Sequence, residues 1–361
     1  MQNSMDFSQR VKQQLSGLYG RWGYSRYTMS KFEEYDLYAR NKDFLISDSV
    51  LTFTDRNGKL MALKPDVTLS IVKNSADLET VQKLYYTENV YRVAKGSDSF
   101  KEILQMGLEC IGPIDDYTIC EVLLLAAESL RRISDQSVLD VSDLDLLSGL
   151  IDTMGVPESA KATVLGCMGE KNCHELAQVC RSYGLAEGDV QTLCELVRLS
   201  GTPQQVMPRL KALLSGRMET EVARLERILN ALGDKAAMLR LDFSAVDDLH
   251  YYNGIVFKGF VAGVPASVLS GGQYNKLMQK MKRTAGAIGF AVYMDMLERL
   301  ESSEQQYDVD VVLLYGENTD PAAVSAAAQQ LMETGESVLV QRSVPRDIRY
   351  RRIVNMEVAE C

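Results

Sequence analysis

Gln105, Gly107 and Glu109 stand at every second position of Gln105-Met106-Gly107-Leu108-Glu109, the spacing that sends side chains to one face of a β-strand. Two polar groups flanking a glycine leave room for a ligand above the backbone. Taken singly, each would serve equally well facing solvent. Compatible groups lie in other blocks: Lys64-Pro65-Asp66-Val67-Thr68 and Tyr91-Arg92 upstream, then Leu249-His250-Tyr251-Tyr252-Asn253-Gly254, Gly271-Gly272-Gln273-Tyr274 and Gly286-Ala287-Ile288-Gly289-Phe290 downstream. Other chemistries have little material. The chain holds two histidines, His174 and His250, too few for a histidine-rich metal centre and poor stock for a Ser-His-Asp triad. Seven cysteines (Cys110, Cys120, Cys167, Cys173, Cys180, Cys194 and Cys361) include no Cys-x-x-Cys pair. An odd count in a large chain points to reduced, mostly buried thiols. Cys167, Cys173-His174 and Cys180 lie along a helical stretch, where core packing explains them better than a metal does. No metal site and no cofactor is expected.

The elements that would position these blocks follow from periodicity. Phe7 to Tyr19 has helical spacing, with Val11, Leu15 and Leu18 on one face. A strand-rich region runs from about Arg26 to Tyr38. Alternating apolar residues on either side of Asn57-Gly58 predict a β-hairpin over Leu51–Leu63, because that dipeptide reaches positive φ easily. Pro65 then opens a short helix. Lys83–Val93 and Glu102–Ile111 read as strands joined by a polar loop at Lys95–Ser99. Glu121–Ile133 reads as an amphipathic helix and Val138–Val141 as another strand. From about Leu144 to Gly233 the period is helical throughout. Strands resume at Met238–Phe243 and Gly254–Ala262, and Ala287–Leu300 starts extended and ends helical. The tail reads β-α-β-β: Asp308–Tyr315, Ala322–Met332, Ser337–Gln341 and Arg352–Val358. Consecutive strands joined by hairpins make an antiparallel sheet with helices packed against it. On pattern alone the chain is α+β with a helical insert.

The quoted blocks, in their order, resemble the active-site framework of histidyl-tRNA synthetases, which are class II aminoacyl-tRNA synthetases. The resemblance runs over most of the chain. It implies a class II synthetase-like antiparallel sheet flanked by helices, with a helical insertion and a small C-terminal α/β appendage. The expected parts are 1–143 and 236–303 for the core, 144–235 for the insertion and 304–361 for a tail shorter than the family's anticodon-binding domain. It also implies a histidine pocket. The ammonium would be held by Asp66, Thr68 and Gln105, with Asp66 one methylene shorter than the family's usual glutamate. Arg92 would meet the carboxylate, Glu109 and Tyr251 would read the imidazole, and Tyr252 would line the pocket.

The ATP side of the family's site is largely replaced. Forming an aminoacyl-adenylate calls for preorganised arginines around the phosphates. By resemblance, Asp247 and Met296 stand where two of them belong, and Arg299 lies three residues beyond Met296. Ala94, Ser99 and Ile103 replace an adenine-contacting glutamate, a loop arginine and a stacking aromatic. This combination resembles the synthetase-like regulatory subunits of ATP phosphoribosyltransferase. It implies a non-catalytic, histidine-recognising subunit that activates a short catalytic partner chain and contributes to feedback inhibition. Two other readings stay open: a divergent histidyl-tRNA synthetase, and a stand-alone amino-acid-binding paralogue.

Bulk properties fit this picture. A chain of 361 residues, 46% hydrophobic and 24% charged, has room for two or three domains with their own cores. Net charge is −10, which argues against tRNA as a partner, since polyanion binding draws on a basic surface. A late basic run, Arg342 to Arg352, suits a solvated strand edge equally well. No apolar run approaches the ~18 residues of a membrane span, and the first residues lack a basic or apolar signal segment. A cytoplasmic protein is expected, at least homodimeric within a hetero-oligomer.

Overall fold

Val11, Leu15 and Leu18 are buried on the first helix, α1 (Phe7–Arg21), so the predicted face is the packed one. The computed structural model describes residues 7–45, 49–76, 79–93, 99–244, 251–297, 300 and 307–356. The chain forms two compact units, Gln13–Met296, and Leu297–Cys361 with Met1–Lys12.

In the larger unit, the part of α1 from Gln13 onward leads to β1 (Ser25–Arg26) and β2 (Phe32–Glu34). The strand expectation for Arg26–Tyr38 then fails in its second half, because Tyr35–Ala39 is a short helix, α2. Helical backbone there buries Tyr38 completely in the core. The hairpin follows as β3 (Thr52–Thr54) and β4 (Leu60–Leu63), which pair antiparallel and, with β2, form a small sheet in the order β2-β4-β3. Its turn differs in type from a two-residue Asn-Gly turn. Gly58 takes φ 79°, while the Asp55 carboxylate accepts from the Asn57 and Lys59 N–H groups at 2.8 Å each. The short helix expected at Pro65 begins three residues later as α3 (Thr68–Asn74).

Two long strands, β5 (Gln82–Val93) and β6 (Phe100–Gly112), stand where they were expected. Most of the connecting loop, Lys95 to Asp98, lies outside the described residues. Next come α4 (Asp116–Ile133) and β7 (Ser137–Asp143). The helical stretch resolves into α5 (Leu144–Thr153), α6 (Glu158–Gly169), α7 (Cys173–Ser182) and α8 (Glu187–Arg198), then a two-residue strand β8 (Ser200–Gly201), then α9 (Pro203–Leu213) and α10 (Glu219–Ala231). The core resumes with β9 (Leu239–Asp242), β10 (Asn253–Val261), β11 (Leu269–Gln273), α11 (Asn275–Lys280) and β12 (Gly286–Tyr293). Sequence reading did not assign β11.

Nine strands make one sheet, ordered β1-β5-β6-β12-β11-β10-β7-β9-β8. It is antiparallel except for the pairs β1–β5 and β7–β9. This is the antiparallel sheet that the class II resemblance implied. Helix α4 covers one face, on which Tyr24 Oη donates to Glu121 Oε1 at 2.9 Å and lies 3.0 Å from Cys110 Sγ. The cysteines of the helical stretch serve packing. Cys167 and Cys180 are buried, and the Cys173 and Cys194 thiols each donate to the other's backbone carbonyl.

The smaller unit holds a parallel sheet in the order β14-β13-β15, made of β13 (Val309–Leu314), β14 (Val338–Gln341) and β15 (Tyr350–Asn355). Helix α12 (Pro321–Glu333) connects the first two and buries Val324 and Ala328. The late basic run is engaged locally: Arg349 pairs with Asp308 and Arg352 with Glu336, and Arg342 sits over the Tyr315 ring. Among the described residues no helix is long and apolar enough to cross a membrane.

Candidate functional site

Strand β6 supplies the floor of a cavity. Gln105, Gly107 and Glu109 share a face, as their alternation predicts, and directly paired residues of neighbouring strands join them there. From β5 come Leu84, Tyr86 and Glu88; from β12 come Gly289, Ala291 and Tyr293. The glycines are needed for space. A Cβ at Gly107 would lie 2.6 Å from the Tyr86 hydroxyl, and one at Gly289 would land on the Glu109 carboxylate.

The remaining groups arrive from three directions. Arg92 comes from the far end of β5, Asp66 and Thr68 from the turn into α3, and Tyr251 and Tyr252 from the segment before β10. Together they enclose about 180 Å³, small beside the roughly 300–1,000 Å³ of pockets for drug-sized ligands. All seven residues expected at a ligand site, Asp66, Thr68, Arg92, Gln105, Glu109, Tyr251 and Tyr252, line this one cavity.

Its electrostatics rest on three ionisable groups. Asp66 Oδ1 accepts from the Leu69 N–H at 2.9 Å, and Oδ2 lies 3.6 Å from Arg92 Nη2. Arg92 Nε–H donates to the Pro65 carbonyl at 2.7 Å. Burial holds the Asp66 carboxyl above its ordinary range, and the Arg92 charge with the Leu69 and Thr68 N–H groups offsets part of that rise. Glu109 is 2% exposed. Its Oε1 accepts from Thr68 Oγ1 at 2.9 Å and its Oε2 from Tyr274 Oη at 2.7 Å. Burial pushes the Glu109 carboxyl up to about 8 despite those two hydrogen bonds, with the Asp66 charge adding to the rise.

Aromatic rings close the remaining side. Tyr251 packs edge-on against Tyr252 at 4.7 Å between centroids and against Phe44 at 6.1 Å, with Tyr274 at 6.0 Å. Burial, then neighbouring carboxylates, raise the Tyr251 and Tyr274 hydroxyls well above their ordinary value, so both stay protonated. The arrangement offers acceptors for an ammonium at Asp66, Thr68 and Gln105, a guanidinium for a carboxylate, and a buried carboxyl for a polar ring. Among the described lining residues Arg92 is the single cation, against two acids.

Tyr86, Ser270, Tyr274 and Tyr293 also line the cavity, and sequence reading gave them no role. Tyr274 sat in a quoted block. Tyr86 and Tyr293 carry a signal only once the strand register is known.

A family model described as Histidyl-tRNA synthetase matches residues 3–297. The chain belongs to the histidyl-tRNA synthetase family. An ATP phosphoribosyltransferase regulatory subunit of Bacillus cereus is 24% identical over 320 residues, 85% of this chain and 76% of that protein. A crystal structure named as an ATP phosphoribosyltransferase regulatory subunit/histidyl-tRNA synthetase from Bacillus halodurans superposes with TM-score 0.75 at 22% identity, covering 97% of this chain and 93% of that one. A chain in an ATP phosphoribosyl transferase (HisG:HisZ) complex from Thermotoga maritima gives TM-score 0.62 at 17% identity, covering 81% and 98%. These structural likenesses are of fold.

Within this family framework, the positions expected to have lost ATP contacts are partly in view. Met296 lies in the 3-10 turn Met294–Leu297 after β12 and is not a lining residue of the cavity. Ile103 shares the face of Gln105, opposite Val90, and packs against the core. Ser99 is exposed just before β6. Asp247, Ala94 and Arg299 lie outside the described residues.

Proposed function

We propose that this chain is a non-catalytic regulatory subunit of ATP phosphoribosyltransferase in histidine biosynthesis, and that it senses histidine through the β6 cavity. The observation that carries the reading is the charge balance of that cavity. Among the described lining residues, one arginine facing two buried carboxyls suits a zwitterion with a polar, protonatable ring. It opposes a triphosphate, which calls for a surplus of cations. Glu109 and Tyr251 read the imidazole, Arg92 the carboxylate, and Asp66, Thr68 and Gln105 the ammonium; Tyr252 closes the side. The regulatory name of the relatives supports the same assignment.

Catalysis then belongs to a short partner chain, which this subunit activates. Feedback inhibition follows if histidine binds two assembly states unequally. The same reading makes the chain cytoplasmic and homodimeric within a hetero-oligomer, without a membrane or tRNA partner and without a cofactor. Its parts are the core 1–143 and 236–303, the insertion 144–235 and the tail 304–361.

The test is reconstitution with a short catalytic subunit. This chain should raise phosphoribosyltransferase activity, histidine should lower it, and Arg92→Ala or Glu109→Ala should blunt the inhibition while activation persists. Activation with full inhibition in both variants would move the histidine site elsewhere. Absence of binding or activation would favour a stand-alone amino-acid-binding paralogue.

A further inference from the structure

We propose that Cys173 and Cys194 form a modification site, at which a peroxide joins the two thiols in a reversible disulfide. Cys173 opens α7, and Cys194 lies in α8, the helix packed beside it. The Cys173 sulfur lies 3.8 Å from the Cys194 carbonyl oxygen, and the Cys194 sulfur lies 3.5 Å from the Cys173 carbonyl oxygen. Each sulfur thus rests on the main chain that carries the other, and the two thiols are within hydrogen-bonding reach. A disulfide sets its Cα atoms roughly 4.4–6.8 Å apart, a close approach of the kind this reciprocal contact makes.

Exposure singles out the same pair. Among the described residues, Cys110, Cys120, Cys167 and Cys180 are buried, and only Cys173 and Cys194 are cysteines partly open to solvent. A small oxidant therefore meets the two described thiols that face each other. Burial, and then the Cys173 thiol beside it, hold the Cys194 thiol above its ordinary range. That keeps Cys194 protonated and leaves the first attack to Cys173. The Cys173 sulfur attacks one oxygen of hydrogen peroxide and the O–O bond breaks. A sulfenic acid forms, and the thiol proton leaves with the departing hydroxide as water. The Cys194 sulfur then attacks the Cys173 sulfur and the S–S bond forms. The Cys194 proton leaves with the sulfenic oxygen as a second water. Peroxide takes up the two electrons that the thiols give, and a dithiol reverses the bridge by exchange.

The test is a non-reducing peptide map of the full chain, read by mass spectrometry after brief treatment with hydrogen peroxide. Folded wild type should yield one dominant bridge, Cys173 to Cys194, which dithiothreitol returns to two thiols. Chain unfolded in urea before treatment should lose that selectivity and give mixed bridges. In Cys194→Ser, Cys173 should stop at the sulfenic acid and be trapped by dimedone. The bridge restricts the unfolded chain, so the oxidised wild type should melt at a higher temperature than the reduced. A dominant bridge from either cysteine to another partner overturns the proposal. So does overoxidation of Cys173 without a bridge, or survival of both thiols under treatment that bridges the unfolded chain. The wild-type map decides by itself if the variant does not fold.

Discussion

Tyr274 and Glu109, 165 positions apart in the chain, meet in the buried cavity, where the tyrosine hydroxyl donates to Glu109 Oε2 at 2.7 Å. With Thr68 on the other oxygen, the carboxyl that faces the ligand ring is held from both sides. Tyr274→Phe keeps the ring and removes one donor. A hydrogen bond contributes about 0.5–1.5 kcal/mol, so histidine affinity should fall roughly two- to tenfold, read by calorimetry. An unchanged affinity would mean that Glu109 needs no help from Tyr274 in orienting its carboxyl.

The Glu109 carboxyl rises from an ordinary 4.5 to about 8, chiefly through burial. An unfolded chain releases that proton near 4.5, whereas the folded one keeps it to about 8. Between those values the folded state holds more protons, so stability declines as pH rises through the window, and the penalty is complete above it. Asp66 contributes in the same direction. Glu109→Gln removes the Glu109 share. Its melting temperature relative to wild type should climb steadily across that window in ligand-free protein. A difference independent of pH would show that Glu109 ionises normally.

Gly289 faces Glu109 directly across the β6–β12 pairing. A methyl group there would displace the carboxyl and press on the Leu108 carbonyl. Gly289→Ala should lower stability by about 1–3 kcal/mol and abolish histidine binding. Chemical denaturation and calorimetry read the two effects separately; a variant that binds like wild type would place the ligand away from Glu109.

The chain alone should not exchange pyrophosphate into ATP when supplied with histidine. Arg92 is the only cation among the described lining residues and is already paired with Asp66 and the Pro65 carbonyl. Exchange above background would restore the ligase reading to first place.

What the sequence disclosed and what it hid divide along physical lines. Side-chain parity within one strand is local, so Gln105, Gly107 and Glu109 announced their shared face. The position of the hairpin turn was legible at Asn57-Gly58, whereas its type depended on the Asp55 carboxylate. Tyr293 stayed hidden because it enters the cavity by pairing with a strand distant in sequence, and Tyr86 and Ser270 because the register of β5 on β6 and of β11 on β12 has no local signature. Strand β11 escaped for a different reason. Gly271 and Gly272 depress strand propensity, yet a Cβ at Gly271 would collide with Phe290, so close packing requires the residue that disguises the strand. Tyr35–Ala39 reads as strand by its aromatics and becomes helix where burying Tyr38 outweighs local preference.

The pairing of β6 with β12 also has a consequence in time. Strands β5 and β6 are neighbours in sequence and can form their hairpin early. Gly289, Ala291 and Tyr293 reach the same face only after the whole run of α5 to α10 has been looped out, and such non-local closure comes late and slowly. A half-formed cavity offers a ligand nothing to grip. Histidine should therefore leave the refolding rate of this chain almost unchanged and act on the unfolding rate instead, lengthening the life of molecules already complete.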